Sequence, residues 1–375
     1  MNETRATRYQ RLTRRTQAAG VIAGGAILAL LALTPGSRWM ADWARSVAGG
    51  AAAPVAAFVA LITFVTFTVV LWEMFALPAA LYGALTIGRR YTPSDGDPTI
   101  EGVLAAQAQG AVVALAGAIA AGLVVEVAIW IAGPAWWIAA GIGVASVLVG
   151  ALRVAPWLLG RIGQAGPVSR PGLSAALEQL AQRARVPVEG IDEWHAGRSS
   201  ASTAIVAGVG RARHIFISRD LIRDWSDDEI AVVVAHELAH HAHHDLWRTL
   251  AVDAAVLSVA FGCAALALSG LGAALGLAGR GDLAALPLIA LVTGGVWLAA
   301  TPLRHAHSRQ QERAADDFAL RLTGQTEAFQ TALKRLSARH LTEERPARAV
   351  RWLYHRHPTV AERLAAAERF SQRSL

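Results

Sequence analysis

His236-Glu237-Leu238-Ala239-His240 is the stretch of this chain whose residue types and spacing are best suited to chemistry. Residues four apart share one helix face, about 6 Å apart along the axis. Two imidazoles so placed can grip one metal ion, and the carboxylate beside the first reaches a water activated by that ion. That is the arrangement for metal-assisted peptide hydrolysis, with Glu237 as general base. Ser226-Asp227-Asp228-Glu229 reads as a capping box ahead of the apolar run Ile230-Ala231-Val232-Val233-Val234, so the motif is expected on a helix. His243 and His244 fall on nearly the same helical stripe, and spacing alone does not separate them from His236 and His240 as ligands. The same run also reads as a His-rich surface helix.

A catalytic zinc takes three protein ligands and keeps one position open. The single cysteine, Cys263, lies within an apolar block and reads as a filler residue, which leaves His, Glu or Asp for the third ligand. A scheme with a third His six residues after the second and a Gly three after it fails, because Leu246 and His243 stand there. The foremost candidate is Glu312, in Ser308-Arg309-Gln310-Gln311-Glu312-Arg313-Ala314-Ala315-Asp316, which reads as a helix ending near Gly324. Asp316, one turn on, is placed to accept a hydrogen bond from a ligand imidazole. An ordinary charged amphipathic helix, with Glu312 paired to a neighbouring Arg, fits the same residues.

The elements that must position these residues are embedded in a very apolar chain. Of 375 residues, 54% are hydrophobic and only 17% charged, and mean hydropathy is +0.37. A bilayer span needs about 20 apolar residues. Six blocks qualify: Ala18–Leu33, Val55–Leu85, Gly102–Gly133, Ala135–Ala151, Leu250–Leu277 and Leu283–Leu303. The first lacks a clear signal-peptide cleavage site. Arg5, Arg8, Arg11, Arg14 and Arg15 precede it, which places the N-terminus, and after an even number of spans the motif, on the cytoplasmic side of the cell membrane. The segment Ser37–Gly50 is expected as a loop on the opposite side. Glu73 and Glu126 lie within blocks and should face a water-filled interior or a partner.

This divides the chain into a basic tail (1–17), a four-span membrane region (18–158), a catalytic part with the motif helix (159–249), a two-span region (250–303) and a second catalytic part (304–375). The first catalytic part opens with a helical pattern, Leu173–Ala184. Two strand-like stretches follow, Ala204–Ala207 and His214–Ile217, joined through Gly208 and Gly210 as a hairpin. The second part carries two or three helices. The fold class is therefore predominantly α, a polytopic membrane protein with a cytoplasmic metallopeptidase domain containing a small β-hairpin or sheet. Net charge is +7, but the basic residues are nearly all Arg, with Lys334 the only lysine. They cluster where lipid headgroups would lie, which argues for the bilayer and against nucleic acid as partner.

The chain resembles the type I CAAX prenyl endopeptidases, integral-membrane zinc metallopeptidases of gluzincin type that have the HtpX proteases as smaller relatives. His236–His240 matches the family's HExxH, Glu312–Asp316 its E-x-x-A-D, and His357-Pro358 with Arg363 its His-Pro…Arg element. Gly197–Ile217 is similar to its strand pair, and Trp72–Pro78 and Thr99–Gln107 to a span and following loop of the longer members. The resemblance implies one Zn²⁺ per chain on His236, His240 and Glu312, with Asp316 and Arg363 supporting. His357 is the candidate donor to the developing oxyanion. It also implies that the strand around Ser202, Thr203, Ala204, Ile205 and Val206 pairs with the peptide substrate. The family usually has Asn-Ala where Thr203-Ala204 stands, and its longer members have seven spans.

Two other readings compete. A site-2-type intramembrane protease also uses HExxH, but inside an apolar span; here Asp227, Asp228, Glu229 and Asp245 bracket the motif. A non-enzymatic metal-binding membrane sensor would use the His cluster and need neither Glu237 nor Glu312. Prenylated peptides and damaged membrane proteins are equally open as substrates, and nothing in the sequence reports an oligomeric state.

Overall fold

The computed structural model describes residues 4–50, 52–91, 99–195, 204–339, 341–343 and 346–374. The chain is mostly helical and forms two compact units, one of residues 1–145 and 254–300, the other of 146–253 and 301–375.

The first unit is built of apolar helices: Arg5–Leu33, Ala53–Leu81, Ile100–Ala132, Leu286–Ala299 and parts of Trp136–Ile162 and Asp245–Leu271. Small residues let them approach closely. A Cβ on Gly24 would lie 1.9 Å from the Trp72 ring, so only glycine allows that indole to rest on the first helix. The outward surface stays apolar, with Val112, Val113 and Trp130 exposed, a surface suited to lipid and not to water. Glu73 meets a partner as expected, accepting a hydrogen bond from Gln107.

Length and composition mark four helical stretches able to cross a membrane, or five if Leu283–Ala299 and Thr301–Thr323, bent by 48°, form one. The expected number was six. Besides that bent pair, the difference arises because the third and fourth expected spans run together as Ile100–Ile162, 63 residues. A straight helix of that length would reach about 95 Å, three bilayer cores. It does not stay straight: Gly133 takes φ +51°, and a Cβ on Gly143 would lie 2.6 Å from Val124 Cγ1. Residues so far apart in one continuous helix would be about 28 Å apart, so the chain folds back at Gly133-Pro134.

The segment expected as the loop Ser37–Gly50 is a helix, Gly36–Ala48. It buries Ser37, Met40, Ala41 and Ala44 against Ala60, Leu61 and Phe64 of the next helix. Its arginines and serines masked a helical face that only tertiary packing reveals.

The second unit carries a four-stranded sheet: β1 (Gly166–Pro167), β2 (Gly190–Trp194), β3 (Ala204–Ala207) and β4 (His214–Ser218), in the order β1-β2-β4-β3. The expected hairpin is the antiparallel pair β3–β4, with Ile205 opposite Phe216 and Val206 opposite Ile215. Strand β2 runs parallel to β4 and was not expected. Ile215 and Ile217 of β4 are fully buried with Leu173 and Leu177 of the helix Pro171–Arg183 and with Ile230, Val234 and Leu238. These last three belong to the helix Asp227–Ala242, whose apolar face thus locks onto the sheet. Its N-terminus carries the full capping box, Ser226 and Glu229 each bonding the other's backbone N–H, worth about 1 kcal/mol. The helix Thr301–Thr323 packs on it and ends at Gly324, φ +70°. Three more helices follow, Thr326–Arg339, Arg348–Tyr354 and Val360–Ser374.

Candidate metal centre

The helix Asp227–Ala242 turns His236 and His240 the same way, with ring centroids 5.0 Å apart and planes nearly perpendicular. Glu312 enters from the facing helix Thr301–Thr323. Its Oε2 is 3.2 Å from His236 Nε2 and its Oε1 3.6 Å from His240 Nε2. One ligand atom from each of the three residues lies within 4.8 Å of the others. Both imidazoles direct Nε2 at this point and Nδ1 at a carboxylate: His236 at Asp316 Oδ1, 3.0 Å, and His240 at Asp245 Oδ2, 3.0 Å. Carboxylates behind ligand imidazoles fix ring orientation and raise basicity at the coordinating nitrogen.

Two features test whether these residues suit a metal. Glu312 Oε2 is buried and makes no properly aligned hydrogen bond, although His236 Nε2 and His357 Nδ1 stand 3.2 and 2.7 Å away. Those groups converge on a point and do not bond one another well, which is the disposition of a ligand set. The electrostatics agree. Burial opposes charge on His236, yet the Asp316 and Glu312 carboxylates override it and lift its pKa to about 9. Burial likewise pushes Glu312 up, but its contacts with His236 and His357 hold it well below the usual carboxylate range. The pocket draws in positive charge, and the donor set of two imidazoles and a carboxylate fits zinc.

Glu237, half-buried on the same helix, has its carboxyl raised by burial; the two imidazoles pull it back, while Glu312 adds to the rise. That moves a proton acceptor toward the neutral range that general-base work favours. Asp316 is held down against burial by His236 and Arg363. Arg363 grips it with two bonds, Nε to Oδ2 at 2.8 Å and a second guanidinium nitrogen to Oδ1 at 2.5 Å. Arg363 thus pairs with Asp316, the carboxylate behind His236. His357 itself is 62% exposed, its Nδ1 against Glu312.

The other histidines separate clearly in space. His243 packs its ring edge-on to Phe318, centroids 5.3 Å apart, and His244 sits in the left-handed region at φ +58°. His241 accepts from Arg213 Nε at Nδ1, 3.1 Å, and so donates from Nε2 to the Val206 carbonyl, 2.9 Å. It ties β3 to the motif helix. Ser202 and Thr203 lie outside the described residues; Ala204, Ile205 and Val206 occupy β3, the last strand in the sheet order.

Sequence reasoning missed Asp245, His241 and Arg309. Asp245 stands five residues after His240, off its helical face, and only the break at His244 brings it back. Arg309, buried at 6%, donates to the carbonyls of Arg351 and His355 at 3.3 and 2.7 Å, holding the turn before His357.

Residues 167–371 match the family model Peptidase family M48. The chain belongs to this family, and the membrane metallopeptidase class that the sequence implied is the class it defines. It is similar to the protein described as uncharacterized metalloprotease YhfN of Bacillus subtilis, 29% identical over 54% of this chain and 49% of that one. It is also similar to a protease HtpX homolog of Nostoc punctiforme, 30% identical over 58% of this chain and 75% of the relative. The chain thus spans about half the length of the first relative and three quarters of the second. In fold it is similar to the crystal structure of S. mikatae Ste24p, with a TM-score of 0.73 at 18% identity, covering 88% of this chain and 79% of that one.

Proposed function

We infer that the protein is a zinc-dependent endopeptidase that hydrolyses peptide bonds of membrane-associated proteins at the cytoplasmic face. The observation that carries the reading is the convergence of His236, His240 and Glu312 beside the Glu237 carboxyl. A sensor would need the metal but not the base, and a site-2 enzyme would bury the motif among apolar spans. Here the motif helix is packed on a sheet within a unit that also holds the charged helix Thr301–Thr323.

His236, His240 and Glu312 would hold zinc, which would supply the Lewis acidity that makes water nucleophilic near neutral pH. Glu237 takes the proton as that water attacks the scissile carbonyl, then passes it to the departing amine. His357, exposed and held against Glu312 through Nδ1, offers its other ring nitrogen to the developing oxyanion. The peptide lies as an added strand along β3, whose place at the end of the sheet order leaves it, among the described residues, one partner strand, β4. The basic residues Arg5, Arg8, Arg11, Arg14 and Arg15 support the cytoplasmic side, and the reversal at Gly133 keeps an even number of apolar helices ahead of the motif.

Purified protein should cleave casein or a lipidated test peptide, and chelation should stop it. The substrates are found by comparing the proteomes of membranes holding the active protein or its Glu237→Gln variant. Proteins that accumulate or are trapped only with the variant define the class. Cleavage at an undiminished rate by Glu237→Gln would remove Glu237 as the base.

A further inference from the structure

His357 stands in a short bridge between two helices, and both ends of that bridge are fastened. Upstream, the helix Arg348–Tyr354 ends at His355, whose N–H bonds the Arg351 carbonyl. Arg309 Nη1 donates to that same carbonyl at 3.3 Å and to the His355 carbonyl at 2.7 Å. Downstream, Thr359 and Glu362 cap the helix Val360–Ser374 reciprocally. The Thr359 N–H donates to Glu362 Oε2 at 3.1 Å, and the Glu362 N–H to Thr359 Oγ1 at 3.2 Å. Glu362 also pairs with Arg351 at 2.7 Å, which closes the two ends on each other. Between the fastenings lie only Arg356, His357 and Pro358, and the proline ring holds the residue before it extended.

Arg309 is the costly member of this arrangement. It is buried, and among the described residues no carboxylate is in ion-pair contact with it; the acceptors it meets are carbonyls. Burial, then the charges of Arg351 and Arg313, disfavour its cation, and Glu362 offsets them only in part. A buried cation without a paired anion is expensive, and packing alone would be served better by an apolar side chain of similar volume. Its position accounts for it. Arg309 stands three residues before Glu312, on the same face of the helix Thr301–Thr323. One helical turn therefore carries both the carboxylate that His357 Nδ1 approaches at 2.7 Å and the guanidinium that holds the backbone beside His357. A single rigid element sets the spacing between them.

We propose that Arg309 is a positioning residue for His357: by holding the Arg351 and His355 carbonyls, it sets the His357 ring against Glu312 and leaves the ring's other nitrogen for the developing oxyanion. The inference rests on the proteolytic reading above. It adds the group that fixes the donor in advance of the reaction, which is where the benefit of such a donor lies. Arg309 touches neither the metal ligands nor the peptide in this scheme, so its effect reaches the reaction only through His357.

The test is a double-mutant cycle in the full chain in detergent, with kcat and KM read from casein cleavage and zinc from elemental analysis. His357→Ala should lower kcat about 10²–10³-fold, the usual cost of one oxyanion donor. Arg309→Met keeps apolar bulk and removes both carbonyl bonds. It should lower kcat about 10–100-fold, as a misplacement of about 1 Å does, with KM and zinc content unchanged. Added to His357→Ala, it should cost less than about 2-fold more, because groups that act as a unit are not additive. Arg309→Lys keeps a cationic donor and should lose less kcat; it carries the cycle if Arg309→Met does not fold. Hydrogen exchange at residues 355–359, which needs no activity, should quicken in Arg309→Met while the helix Asp227–Ala242 stays protected. Losses that multiply in the double variant, or a fall in kcat that comes with loss of zinc, overturn the proposal, since Arg309 then acts elsewhere than through His357. So does unchanged exchange at 355–359. A wild-type chain that cleaves nothing brings down the proteolytic reading itself, and this role with it.

Discussion

Asp245 approaches His240 Nδ1 at 3.0 Å from across a break between two helices, its carboxylate buried at 4% exposure. The break is His244, at φ +58°, an unusual conformation for a residue other than glycine. Strain there is offset by a carboxylate placed behind an imidazole of the candidate metal centre. Gln311 also reaches this corner, donating to the Asp245 carbonyl at 3.2 Å from the helix that carries Glu312. Backbone and side chain of Asp245 therefore join the helix that carries His240 to the helix that carries Glu312.

Replacing Asp245 by Ala should lower zinc affinity about 10–100-fold, the usual cost of losing the group behind a ligand. Competition with a chromophoric chelator reads this directly. Unchanged affinity would make the contact incidental.

The Asp316–Arg363 pair has side-chain exposures of only 5% and 16%. Arg363→Met strands a buried carboxylate and should cost on the order of 3–5 kcal/mol, while adding Asp316→Asn should restore part of the loss. Thermal unfolding in detergent, followed by tryptophan emission, measures the cycle. Strictly additive losses would mean that the two side chains act independently.

His241→Phe keeps a ring against the motif helix but removes the N–H that holds the Val206 carbonyl. Leaving that acceptor unmet costs about 1–3 kcal/mol and loosens β3. With β3 as the substrate's partner strand, KM should rise more than kcat falls, with zinc content unchanged. A loss confined to kcat would move the role of His241 away from substrate binding.

His305 gives a pH dependence. Burial first, then the Arg356 charge, disfavour its cation, and the bond to the Trp352 carbonyl only partly offsets them, so its pKa lies below the ordinary 6.5. As pH falls, the unfolded chain takes up this proton before the folded one. The stability contributed is complete above about pH 6.5 and declines below it. His305→Gln should flatten the decline, and parallel melting-temperature profiles for the two chains would exclude His305 as its source.

The motif helix was legible in the sequence because its signals are local: a capping box, an apolar run, and two histidines four apart. Glu312 was legible only as a candidate, since nothing local distinguishes a ligand carboxylate from one paired to an arginine. Its meeting with His236, 76 residues away, is a property of helix packing. Strand β2, Gly-Ile-Asp-Glu-Trp, escaped because Asp192 and Glu193 break the apolar alternation; their carboxylates are engaged by His214 and Arg219. The helix Gly36–Ala48 escaped because arginines and serines interrupt its apolar residues, and its buried face of Ser37, Met40, Ala41 and Ala44 is defined only by packing. Asp245 escaped because five-residue spacing has meaning only once the helix is known to break.

Metal stoichiometry in three chains reports on the coordination by His236, His240 and Glu312 itself. Elemental analysis of wild type, Glu237→Gln and Glu312→Ala, each paired with a casein cleavage assay, should give one zinc with activity, one zinc without activity, and neither zinc nor activity. A Glu312→Ala chain that still bound one zinc with wild-type affinity would contradict the coordination by His236, His240 and Glu312 on which the account stands.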